Sequence, residues 1–246
     1  MQYKNGIFRS GEREDRMKKY ISIKDFITKL KVTVNNLTIK TFHFNFIQVN
    51  TYILYDEVKE AVIIDPGNCD ENEDGILTDY IEKEKLKVKY IINTHPHIDH
   101  VLGNDFCKKL YNVPLLAHED GMPIYRNSFA YGASFGFTQT EFPVPDTFLK
   151  EGDEILFGKQ ILKILYTPGH CSGSISLFDN SNQLVFTGDT LFEGSVGRTD
   201  LPTGDLSLLM KNIREKLLVL DNNTLIFPGH GDSTTIGQEK NENPYL

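Results

Sequence analysis

The stretch Thr94-His95-Pro96-His97-Ile98-Asp99-His100 places three imidazoles and a carboxylate within the six residues from His95 to His100. It follows the apolar run Val88-Lys89-Tyr90-Ile91-Ile92, which reads as a buried strand. A solvated turn has no use for three imidazoles, and a core would have to satisfy every one of their nitrogens. The segment therefore reads as a metal site at a strand end. His95 and His97, two residues apart, leave an extended backbone on the same side and converge on one cation, while Asp99 and His100 serve a second position.

The same design recurs along the chain. Residues 61–64 form an apolar strand stopped by Asp65-Pro66-Gly67, where Asp65 either supports the metal site from behind or shapes the turn ahead of Pro66. The paired strands 154–157 and 160–166 lead into Thr167-Pro168-Gly169-His170, and strand 224–227 leads into Pro228-Gly229-His230-Gly231. A histidine on a Pro-Gly turn is held in a stiff loop, which suits a ligand. Strand 183–187 ends in Gly188-Asp189, and a carboxylate there is able to bridge two cations through its two oxygens. His118, alone at the end of strand 113–117, reads instead as a structural hydrogen-bonding group.

Between these points the pattern alternates strands with amphipathic helices, the α/β signature. Strands are expected at 37–42, 50–55 and 174–178, and helices at 71–85, 104–110 and 205–220. Residues 119–146 carry Tyr125, Phe129, Tyr131, Phe135, Phe137 and Phe142, and read as a loop-like insertion that faces substrate or covers the core. Residues 1–30 read as an N-terminal appendage with a short helix at 20–30, and 31–246 as one catalytic domain.

Charge and cysteines narrow the setting. A net charge of −8 offers no basic field for phosphate backbones, so nucleic acid is not expected as a partner. No run approaches the ~20 apolar residues of a membrane span, and the N-terminus lacks the apolar core of a signal peptide. Three cysteines, Cys69, Cys107 and Cys171, show no CxxC pairing, which fits a reducing, cytoplasmic compartment. Cys171 beside His170 reads as a small packed residue.

In order and context, His95-x-His97-x-Asp99-His100, His170, Asp189 and His230 resemble the metallo-β-lactamase superfamily over about residues 37–246. The resemblance implies a four-layer αββα sandwich, an α/β fold of two sheets with helices outside. It implies that His95, His97 and His170 bind one metal, that Asp99, His100 and His230 bind a second, and that Asp189 bridges them. The run from Gly188 through Gly197-Arg198-Thr199-Asp200-Leu201-Pro202, with the ending Thr235-Ile236-Gly237-Gln238-Glu239 and Asn243-Pro244-Tyr245-Leu246, looks most like the short, single-domain glyoxalase II-like hydrolases.

What this implies is a hydrolase of small acyl thioesters that uses two divalent ions. Zinc is the first choice, with iron and manganese open because mixed N/O ligands select weakly. Asp99 and Asp189 would be the catalytic carboxylates, and Arg198 with Asp200 a structural ion pair in the loop after Asp189. The nearest alternative is persulfide dioxygenase, which shares the histidine motif and a Gly-Arg-Thr-Asp run but uses one iron; His95, His170 and Asp189 also form a His₂-carboxylate set. A nuclease of the same fold and a non-catalytic metal-binding module are the remaining alternatives. The oligomeric state is not legible.

Overall fold

The computed structural model describes residues 31–134 and 143–246, with 129–134 as backbone only. The 1–30 appendage and the 135–142 part of the aromatic segment lie outside the described residues.

One sheet has seven strands in sequence order: β1 (Lys31–Val34), β2 (Leu37–Phe44), β3 (Val49–Tyr55), β4 (Glu60–Ile64), β5 (Lys87–Ile92), β6 (Leu115–His118) and β7 (Thr147–Leu149). The first four are antiparallel, and β4 through β7 pair in parallel across helical connections. The helices are α1 (Glu71–Glu84), α2 (Ile98–Val101), α3 (Asn104–Tyr111) and α4 (Met122–Ser134). The second sheet contains β8 (Glu154–Phe157), β9 (Gln160–Tyr166), β10 (Ile175–Asp179), β11 (Leu184–Gly188), β14 (Leu225–Pro228) and β15 (Thr234–Thr235), in the order β15-β14-β11-β10-β9-β8. A small hairpin, β12 (Leu191–Phe192) with β13 (Ser195–Val196), stands apart from both.

The strands are apolar on both faces because both faces are covered. In β3, Tyr52 and Leu54 point between the sheets while Ile53 and Tyr55 point outward; β4 repeats this with Val62 and Ile64 against Ala61 and Ile63. The inner residues meet Ile155, Phe157, Leu162, Ile164, Leu177 and Phe186 of the second sheet. The outer residues of the first sheet pack on Leu77 and Ile81 of α1 and Cys107 of α3. Outside the second sheet, Phe178, Val185 and Ile226 pack on Leu209 of α5 (Leu206–Asn212) and on Ile213 and Leu217. The result is helix, sheet, sheet, helix: the αββα sandwich.

Three local expectations are corrected. The helix read over 205–220 divides into α5 and a π-helical turn, Ile213–Leu217, closed by Leu218 N donating to Ile213 O over 2.8 Å. The stretch read as a long loop contains a 3₁₀ turn at Glu119–Gly121 and helix α4, whose first turn accommodates Pro123 without losing a helical hydrogen bond. The chain past His230, assigned no element from periodicity, forms β15 and α6 (Ile236–Glu242).

Parallel strands place their carboxyl ends along one edge, where a crevice opens. Asp65 follows β4, Thr94 and His95 follow β5, Asp189 follows β11 and the Gly229-His230 turn follows β14. No helix among the described residues is long and apolar enough to cross a membrane.

Candidate metal centre

All seven side chains singled out in the sequence meet at that edge. The ligating atoms of His95, His97 and His170 lie within 4.8 Å of one another, and so do those of Asp99, His100 and His230. Asp189 stands between the two groups. Its Oδ2 is 3.6 Å from His170 Nε2, 4.0 Å from His95 Nε2 and 3.7 Å from His230 Nε2, and its Oδ1 is 3.5 Å from His100 Nε2.

The outer nitrogen of four rings is fixed by an acceptor, which leaves the other nitrogen's lone pair directed inward. His170 Nδ1 donates to the Arg198 carbonyl at 2.8 Å, His100 Nδ1 to Asp65 Oδ2 at 2.9 Å, and His230 Nδ1 to the Gln48 carbonyl at 3.3 Å. The Thr94 hydroxyl donates to Asp65 Oδ2 at 2.6 Å, so its oxygen is left to accept from His95 Nδ1 at 3.1 Å. His97 differs, presenting Nδ1 to His170 Nε2 at 2.8 Å.

Asp65 therefore fills both roles left open by the sequence. Its φ of +48° makes the turn after β4, and its carboxylate holds Thr94 N, Thr94 Oγ1 and His100 Nδ1. Asp65 also falls within 4.8 Å of His95 and His100 as a third possible ligand group, but its two oxygens are already occupied by these donors.

The donor set fits cations. His95 Nε2 and Asp189 Oδ1 are buried and have no hydrogen-bond partner, an expensive state for two polar atoms facing each other's neighbourhood. His170 Nε2 with His97 Nδ1 at 2.8 Å, and His100 Nε2 with His230 Nε2 at 3.2 Å, each need a proton or a cation between them. The backbone makes room: a Cβ on Gly229 would lie 2.1 Å from Asp189 Oδ1.

Without a cation the site divides its protons unevenly. Burial, reinforced by the other imidazoles, pushes His95 well down, and burial with His170 brings His97 to about 4. Burial also opposes a charge on His100, but Asp99, Asp189 and Asp65 outweigh it and raise that ring to about 10. For His230 the same burial is overcome by the hydrogen bond to Asp99 and the charge of Asp189, and its affinity for a proton rises. Asp99, also buried, is held well below the carboxylate range by His100 and His230.

The other sequence candidates lie outside this cluster. His118 stacks on Tyr166, with centroids 4.1 Å apart, and accepts from Asp120 N. Arg198 and Asp200 form a two-pronged ion pair at 2.7 Å, but on exposed side chains where such pairs stabilise little. Cys171 is fully buried, its thiol pushed up to about 12 by burial. Sequence reading missed the turn between β2 and β3. There Asn45 Nδ2 donates to the Asp99 carbonyl at 3.2 Å, and Gln48 supplies the carbonyl that holds His230. Its signal was the pair Asn45 and Asn50, polar residues buried at the ends of apolar strands.

Comparison with known proteins places this fold in a family. Hydroxyacylglutathione hydrolase GloC of Haemophilus influenzae is 37% identical over 201 residues, covering 81% of this chain and 93% of the relative. Among solved structures, BLEG-1 B3 metallo-beta-lactamase superposes with a TM-score of 0.76 at 34% identity, over 85% of this chain and 99% of that one. TTHA1623 in a di-iron-bound form gives a TM-score of 0.75 at 33% identity, over 84% and 99%. The profile of the metallo-beta-lactamase superfamily matches residues 44–230, the interval that opens at the strand end before the Asn45 turn and closes on the last histidine of the cluster. With its sandwich and the histidines and aspartates at its edge, the chain belongs to the metallo-beta-lactamase superfamily.

Proposed function

We propose that this protein hydrolyses small acyl thioesters of the hydroxyacylglutathione type at a centre of two divalent cations. The observation that carries the reading is Asp189, whose carboxylate lies 3.5 to 4.0 Å from imidazole nitrogens of both three-residue groups. Its Oδ1 and His95 Nε2 are buried without partners. The 37% identity to a hydroxyacylglutathione hydrolase supports the substrate class.

In this reading His95, His97 and His170 would hold one cation and Asp99, His100 and His230 the other, with Asp189 shared between the two groups. Zinc is the first choice; iron is supported by the di-iron relative, and manganese remains compatible with N/O ligands. When bound, such a pair lowers the pKa of water toward neutrality and polarises a carbonyl oxygen. The chain's own part is to hold the groups in place. Asp65, Arg198 O and Gln48 O keep three rings turned inward, so little reorganisation accompanies the reaction. Asp99, held ionised by His100 and His230, would meet a cation as a ready carboxylate ligand with no proton to give up first. A thiolate leaving group needs little help from an acid, and none of the described cysteines lies among the seven residues.

The same reading puts the catalytic unit in 31–246, with 1–30 as an appendage that supplies no ligand, and places the protein in the cytoplasm, where its three thiols stay free. Protein lacking residues 1–30 should keep its metal uptake. The test of function is metal-replete protein incubated separately with S-lactoylglutathione, glutathione persulfide and a chromogenic cephalosporin, following thiol release, dissolved oxygen and ring opening. Thiol release from the thioester without oxygen uptake is expected. Oxygen consumption with the persulfide and no thioester cleavage would assign a dioxygenase instead, and lactam opening alone would match the BLEG-1 likeness.

A further inference from the structure

The superfamily match ends at residue 230, but the chain continues through β15 and α6, and this segment buries a carboxylate. Glu239 is 1% exposed, and its hydrogen bonds come from uncharged donors: Thr234 Oγ1 to Oε1 at 2.6 Å, and Gly194 N at 2.9 Å with Asn243 Nδ2 at 2.7 Å to Oε2. A carboxylate out of water is costly unless donors meet its oxygens, and here three donors from separate parts of the chain converge on it. What Glu239 adds is a fastening. Gly194 is the turn of the β12–β13 hairpin, with φ +64°, and Asn243 Nδ2 also reaches the Ser195 carbonyl at 3.1 Å.

The hairpin leads straight to the metal centre. After Val196, Gly197 N donates to the Thr190 carbonyl at 3.2 Å, and the next carbonyl, that of Arg198, holds His170 Nδ1 at 2.8 Å. Gly197 is wedged so closely that a Cβ there would lie 1.9 Å from the Asp189 carbonyl oxygen and 3.2 Å from His170 Cβ. A displacement of the hairpin therefore passes directly to His170 and to the backbone of Asp189.

We propose that Glu239 is a positioning residue for the metal centre: its carboxylate fastens the β12–β13 hairpin to the C-terminal helix, and the hairpin's Arg198 carbonyl sets the ring of His170. This rests on the reading that His170 holds a cation. Loss of such support behind a ligand weakens metal binding roughly 10- to 100-fold.

Cobalt(II) titrated into chelator-treated full-length wild type, E239A and E239Q, followed by visible absorption, tests this, with thermal unfolding of the metal-free proteins in parallel. In E239A one of two cobalt ions should bind about 10- to 100-fold more weakly, with displaced d–d bands. In E239Q the amide oxygen still accepts from Gly194 and Asn243, and the amide NH₂ donates to the rotatable Thr234 hydroxyl, so affinity and spectrum should return toward wild type. Cobalt affinity and bands in E239A equal to wild type, with only a lower melting temperature, would reduce Glu239 to packing and overturn the proposal. Should E239A fail to fold, Asn243→Ala carries the same comparison, with a smaller change expected and unchanged cobalt binding again decisive against it. Wild type that takes up no cobalt would remove the proposed function together with this inference; wild type with two ions and an unaltered E239A would remove this inference alone.

Discussion

Asp65 Oδ2 lies 2.9 Å from His100 Nδ1, a contact between residues 35 apart in the chain and both sealed from water. The same carboxylate holds Thr94 N and Oγ1, the residue directly before His95, so one side chain sets ring orientation in both halves of the centre. Asp65→Asn would put an amide NH₂ against at least one donor. We expect it to weaken metal binding by about 10- to 100-fold and to cost the metal-free protein about 1–3 kcal/mol. A chelator-competition titration and urea unfolding measure the two effects; unchanged affinity would contradict the assigned role.

The pH behaviour of the metal-free protein follows from His100. Burial lowers its proton affinity, but Asp99, Asp189 and Asp65 outweigh it and raise the pKa from 6.5 to about 10. A raised histidine contributes stability that is complete below its unfolded value and disappears as the pH climbs through the folded one, so the urea midpoint should fall between pH 7 and 10. The proton must also leave when a cation arrives. Calorimetric metal titrations at pH 8 in buffers of different ionisation enthalpy should report at least one proton released per chain, and heats that ignore the buffer would refute this.

Asp189→Ala should reduce thioesterase activity by roughly 100-fold or more, since contact with both ligand groups is lost. The fold should persist, because Asp189 lies just past β11, whose buried residues Val185 and Phe186 remain. Steady-state rates alongside circular dichroism check this; activity within a few-fold of wild type would contradict it.

His118→Ala should leave metal content unchanged and cost about 1 kcal/mol, the scale of a lost ring stack. Its ring lies against Tyr166, and its nitrogen caps the turn at Asp120. Elemental analysis showing metal loss comparable to a ligand variant would mean that its place in the site was misread.

The seven clustered residues were legible in sequence because they follow the ends of apolar strands, where pattern and chemistry coincide: Asp189 after 183–187 and His230 after 224–227. The α/β class followed from the same alternation, while the four layers were implied by the resemblance to the superfamily. What periodicity did not reveal depends on contacts distant in sequence. The β12–β13 hairpin has two residues per strand, too few to show a period, and nothing local marks Glu239 as buried against Gly194, 45 residues away. Helix α4 was hidden by Gly132 and the aromatic composition, although Pro123 marked its first turn. Cooperation between Asp65 and His100 was only half visible, since a carboxylate ahead of proline is sufficient to explain a turn.

The central claim, that Asp189 joins two cation positions, is tested most directly by counting metal. Protein purified from its native host, or reconstituted with excess metal and desalted, should hold about two ions per chain by elemental analysis, because seven ligands exceed what one tetrahedral site uses. At most one tightly held ion under metal-replete conditions would contradict the dinuclear account.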